Sequence, residues 1–120
     1  MRYPDFYDKA PVITLRDPLA GFLGATEDGL IEYRYIDAVK AAGHSCPTVA
    51  SAWMMTLRAL EALYPNDVAE RGAVRAGFRQ EATSGVTGVI ANIVTFLTGA
   101  TRDTGFKGLG GRFDRRNLLF

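Results

Sequence analysis

The run Ala42-Gly43-His44-Ser45-Cys46-Pro47-Thr48 decides how this chain is read. A proline at 47 belongs in the first turn of a helix, where its missing amide hydrogen has no intrahelical bond to lose and its φ is already helical. Cys46 then stands at the N-cap. Beyond it, Ala50, Trp53, Met54, Leu57, Leu60 and Tyr64 recur at steps of three and four, the period of a helix that buries one face. The spacing predicts a helix from Thr48 to Tyr64.

Upstream, Asp37 can cap a short helix through Ala38-Val39-Lys40-Ala41, and Gly43 is the residue that most easily leaves a helix in the left-handed conformation. The only histidine and the only cysteine of the chain therefore share a tight helix-to-helix turn. The free amides and positive dipole end of the second helix favour thiolate over thiol at Cys46. With Ser45 turned away, imidazole and sulfur can face one ion. They supply two ligands, where structural zinc takes four and catalytic zinc three plus water. The same two groups also read as a Cys46 nucleophile with His44 as its base, in a metal-free transferase or hydrolase.

Outward from this turn the elements follow local chemistry. Leu30 to Tyr35 alternates apolar and charged residues, as a short strand or as the start of the Asp37 helix. Tyr64-Pro65-Asn66-Asp67 is a breaker and turn cluster. From Ala73 to Glu81 the alternation has period two, Val74, Ala76 and Phe78 opposite Arg75, Arg79 and Glu81, which predicts a strand with one wet side. Ser84 can cap a helix carrying Val86, Val89, Ile90, Ile93 and Leu97, and Gly99 can end it. Phe106 to Phe120 reads as two short strands around Gly108, Gly110 and Gly111, ending on an apolar Leu118-Leu119-Phe120 where a longer protein would continue. Pro4, Pro11 and Pro18 among aromatic residues suit an extended arm over residues 1–28, laid across the core or a partner subunit. That leaves residues 29–120 as the core of one domain.

Composition narrows the functional classes. A chain of 120 residues, 48% hydrophobic and 22% charged, is one globular domain. A net charge of +1 gives no ground for nucleic acid or an anionic membrane as partner. One cysteine excludes an internal disulfide, and the start has no apolar leader, so cytoplasmic location is the expectation. The most apolar run, Val86 to Ala100, is interrupted by Thr87, Asn92, Thr95 and Thr98 and is shorter than the roughly 20 residues of a membrane span.

The order helix, strand, helix, strands, with Gly43, His44, Cys46 and Pro47 at its first turn, resembles the FmdE-like family, which takes its name from a component of formylmethanofuran dehydrogenase. A second likeness is the helix end Leu97, Thr98, Gly99 and Thr101, and a third is Phe106-Lys107 followed by Arg116-Asn117. The resemblance covers Asp37 to Asn117. It implies an α+β fold with a small mixed sheet packed against helices, a homodimer, and a metal site built on His44 and Cys46, with no settled activity. Two departures stand out. Ala42 replaces a first histidine, and Val89 and Ala100 stand where relatives carry cysteines. Cys46 is then the one thiolate, and Glu81, Asp103, Asp114 or a residue of a second copy would complete the site. The expectation is a zinc-binding domain, or one holding another divalent transition metal, of redox- or metal-related accessory role. In it, Lys107 or an arginine would hold a small anionic substrate beside an acidified water.

The remaining features read as structural. Trp53, Met54 and Met55 have the spacing of core residues rather than of a haem or copper pocket. The glycines from 99 to 111 lack the spacing of a phosphate loop around Lys107 and fit turns. Arg75, Arg79, Arg112, Arg115 and Arg116 fit the exposed sides of strands, partly neutralised by Glu81 and Asp114. An interaction module whose arm wraps a partner is the third functional class.

Overall fold

The computed structural model describes residues 1–120 as an α+β fold: a three-stranded mixed sheet and four α-helices. In chain order the elements are β1 (Ile13–Arg16), α1 (Pro18–Phe22), β2 (Leu30–Tyr33), α2 (Tyr35–Ala42), α3 (Pro47–Leu63), β3 (Ala69–Glu70) and α4 (Thr87–Thr98), after a 3-10 turn at Asp5–Lys9. The sheet order is β2-β1-β3. β2 pairs antiparallel with β1, Ile13 opposite Tyr33 and Arg16 opposite Leu30, while β3 pairs parallel with Leu15 opposite Ala69.

The arm expected over residues 1–28 is corrected at this point. Ile13–Arg16 is the central strand, with Ile13 and Leu15 buried and Thr14 and Arg16 exposed, the two-residue period of a strand facing a core on one side. Pro11 and Pro18 bracket this strand rather than forbid it. Pro18 occupies the first helical position of α1 behind the N-cap Asp17, where proline costs nothing. Leu30 to Tyr35 resolves into both alternatives in succession, strand β2 and then the opening of α2. Asp37 is three residues inside α2 rather than its N-cap; its Oδ2 accepts from the Arg34 amide at 2.8 Å.

Helices α2, α3 and α4 pack against one another, α3 most extensively against α4. Leu15 of β1, Val49, Ala52 and Trp53 of α3, and Ile93 and Leu97 of α4 are essentially solvent-free and belong to one apolar cluster. Trp53 is thus core, as its spacing predicts, and its indole N–H donates to the Pro11 carbonyl at 3.0 Å. Met54 is half-buried and Met55 exposed. No helix is long and apolar enough to cross a membrane.

Three further expectations are corrected. Ala73–Glu81 forms no strand of the sheet. Its Ala76 makes a single bridge to Leu119, and the Ala76 and Phe78 amides donate to the Leu118 and Phe120 carbonyls at 2.7 and 2.6 Å. The alternation is real, but the pairing partner is the C-terminal segment. The fourth helix starts at Thr87 without a side-chain cap, and the Ser84 carbonyl accepts from the Thr87 amide in a turn before it. Phe106–Phe120 likewise carries isolated bridges in place of two strands, one closing Leu109 onto Arg112 around the Gly110-Gly111 turn. Gly99 ends α4 in the left-handed region as expected.

Candidate functional site

Each residue of the His44–Cys46 turn has a separate local reason for its place. Gly43 adopts φ 81°, and its amide donates to the Val39 carbonyl at 2.7 Å, closing α2. That φ is open to glycine and strained for most other residues. The turn then reverses, and Cys46 takes extended angles (φ −135°, ψ 170°) as N-cap of α3 with Pro47 at the first helical position. Between them Ser45 points away from its neighbours: its hydroxyl is 2.7 Å from that of the buried Tyr35. His44 is left exposed, its Nδ1 3.2 Å from the Ala42 carbonyl, and Cys46 is half-buried. Ser45 therefore turns away, the condition under which imidazole and sulfur can face one ion.

The Cys46 side chain makes no capping hydrogen bond, yet the neighbours of the turn shift both of its titratable groups. The Val49 amide at the start of α3 is the main influence holding the Cys46 thiol below its ordinary value; partial burial opposes it, and His44 and the Thr48 amide add to it. The His44 imidazole is pushed up, first by the Cys46 sulfur and then by the Ala42 carbonyl. Helix-terminal amides favour the anion, and the two side chains favour each other's charged form.

The turn borders two clefts. Cys46 lies at an apolar groove of about 390 Å³ walled by Phe6, Tyr7, Tyr35, Trp53 and Met54. There Tyr7 meets Tyr35 edge-on at 5.2 Å, and Tyr35 meets Trp53 at 5.8 Å. His44 lies at a second cleft of about 420 Å³ between α2 and α4, with Ala42, Val89, Asn92 and Phe96. Val89, one of the two positions at which a cysteine is expected by resemblance, thus shares a cleft with His44. The other, Ala100, is buried just past α4.

The remaining candidates do not join this site. Lys107 is exposed in the loop after Gly105 and lines neither cleft. No third histidine, cysteine, aspartate or glutamate of the chain gathers with His44 and Cys46. Asp114 is instead held by Arg116 at 2.9 Å, and the Arg116 hydrogen bonds draw its pKa down to about 2.

A second polar cluster has no counterpart among the sequence expectations. The Asp17 carboxylate is bound by Arg71 at 3.0 Å and by Arg115 at 2.7 Å, and it also accepts from the Leu19 amide that starts α1. Asp17-Pro18 is a recognisable N-cap and first-turn pair, but nothing in the sequence marks its arginine partners. Arg115 is therefore buried, not on an exposed strand face as expected.

Comparison with protein-family models, curated proteins and solved structures finds no match for this chain.

Proposed function

We propose that this chain is a zinc-binding domain of the FmdE-like type, with His44 and Cys46 as its metal ligands. The observation that supports this reading is the pairing at one turn of a cysteine, its thiol held below its ordinary value at a helix start, with an imidazole, while Ser45 between them is turned onto Tyr35. A sulfur and a nitrogen donor suit zinc among the common divalent ions. The donor set within one chain is half of a tetrahedral site. A second copy contributing the same pair would complete a two-sulfur, two-nitrogen set, which ties the metal to a homodimer. A free thiol of this kind fits a reducing, cytoplasmic setting.

Metal content by mass spectrometry, on protein purified without a metal-affinity tag, tests the proposal alongside His44→Ala and Cys46→Ala. One zinc per two chains is expected, lost in both variants with the fold retained, together with dissociation to monomer on chelation. Protein that stays metal-free after dialysis against zinc overturns it.

A second reading has its own observation. The apolar groove at Cys46 would seat an apolar acyl or thioester substrate against the thiolate, with His44 as its proton partner. Rapid alkylation of Cys46 at neutral pH, unprotected by zinc, selects this reading over the metal site.

A further inference from the structure

The two arginines on Asp17 are incompletely satisfied. Arg115 is 5% exposed, yet its Nη1 has no hydrogen-bond partner, and the buried Nε of Arg71 has none either. Asp17 supplies one negative charge against these two guanidinium groups. Arg71 spends a further donor on the Phe96 carbonyl at 2.9 Å, which carries no net charge. Buried cationic excess and unfilled donors are both costly, and native structures rarely leave them uncompensated.

Both arginines line a cavity of about 320 Å³, which Arg112 also borders. Arg112 has no carboxylate partner; it is held by its face against Phe113 at 4.6 Å and Phe22 at 5.6 Å. Of the two carboxylates at the rim, Asp114 is engaged by Arg116 and Glu70 is solvent-exposed. Gly72 also lines the cavity, and a Cβ there would overlap Arg115 Nη1. The guanidinium occupies the place a side chain would fill.

We propose that this cavity binds a small oxyanion, a phosphate or carboxylate head group held by Arg71, Arg112 and Arg115. Such a group adds negative charge beside Arg112, which has no carboxylate, and beside the two guanidinium groups that share Asp17, and the planar fork of arginine suits both head groups. The cavity shares no lining residue with the clefts at His44 and Cys46, so the proposal stands apart from the metal reading.

The test titrates the full chain with inorganic phosphate, acetate or chloride at fixed ionic strength, reading Tm and the arginine side-chain N–H resonances. Phosphate or acetate should raise Tm saturably where chloride does not, and the more effective of the two identifies the head group. The Arg71 and Arg115 resonances should shift with the same saturation. Arg112→Gln, on an exposed side chain that leaves the core intact, should weaken binding by about tenfold. Equal effects of all three anions overturn the proposal, as does a Tm rise with the arginine resonances unmoved, which would put the anion elsewhere.

Discussion

Asp17 and Arg115 lie 98 residues apart in the chain and form a 2.7 Å ion pair from which both side chains exclude solvent. The carboxylate also caps α1 and binds Arg71, whose other nitrogen reaches the Phe96 carbonyl in α4. One aspartate therefore joins the central strand, the segment after β3, the last turn of α4 and the C-terminal segment. Asp17→Ala removes the shared partner of two arginines and the cap of a helix at once. The expected loss is about 3–5 kcal/mol, the range for breaking a buried pair from one side, and urea unfolding followed by Trp53 fluorescence would measure it.

The same carboxylate sets an acid limit. Burial acts to raise its pKa, but the hydrogen bond from Arg71, the charge of Arg115 and the Ala20 amide outweigh burial and hold it below 3.8. A carboxyl depressed in the folded state contributes fully above its unfolded pKa, and the contribution is lost as pH falls through the folded value. Unfolding free energy should therefore decline with falling pH below about 4, and less steeply in Asp17→Asn. Asp114, drawn to about 2 on the surface by Arg116, titrates in the same direction, but Asp114→Asn should leave the profile close to that of the parent, since the pair is solvated.

Gly72 offers a steric check on the same cluster. It holds φ 96° with Arg115 Nη1 in the place of a side chain. Gly72→Ala should cost about 2–4 kcal/mol, backbone strain compounded by displacement of a buried guanidinium. Gly110 also has a positive φ, at 57°, but nothing lies within 4 Å of where a Cβ would stand. Gly110→Ala should cost only about 1 kcal/mol, the strain alone. Equal losses in the two variants would show that the guanidinium moves freely.

What the sequence discloses here depends on how local the cause is. The turn at Gly43 to Pro47 and the helix after it are legible because a proline, a glycine and a stripe of apolar residues each act within a few positions. The strand Ile13–Arg16 is concealed by prolines at both ends, although Ile13 and Leu15 alternate inward as a strand requires. Val74, Ala76 and Phe78 alternate as clearly, yet alternation records which side is buried and not which strand lies alongside; the partner is the C-terminal segment. The Asp17, Arg71 and Arg115 cluster is the extreme case, since its members meet only through the complete fold. His44 and Cys46 are legible as a pair for the opposite reason: two residues of separation bring them together whatever the rest of the chain does.

Val89 provides the sharpest discrimination between the two readings of that pair. It faces the cleft that His44 also borders, on α4 across from the end of α2. A thiol there places a third donor in the cleft His44 borders, so if His44 and Cys46 hold the metal, Val89→Cys should let a single chain bind zinc, at about one per chain rather than one per two. Competition against a chromophoric chelator would read the change, and His44→Ala in the same background should abolish it. A metal-free Cys46 nucleophile predicts the opposite pattern. The new thiol would then leave zinc binding unmeasurable, and alkylation of Cys46 would proceed at its former rate, because its stabilising amides belong to α3 and not to α4.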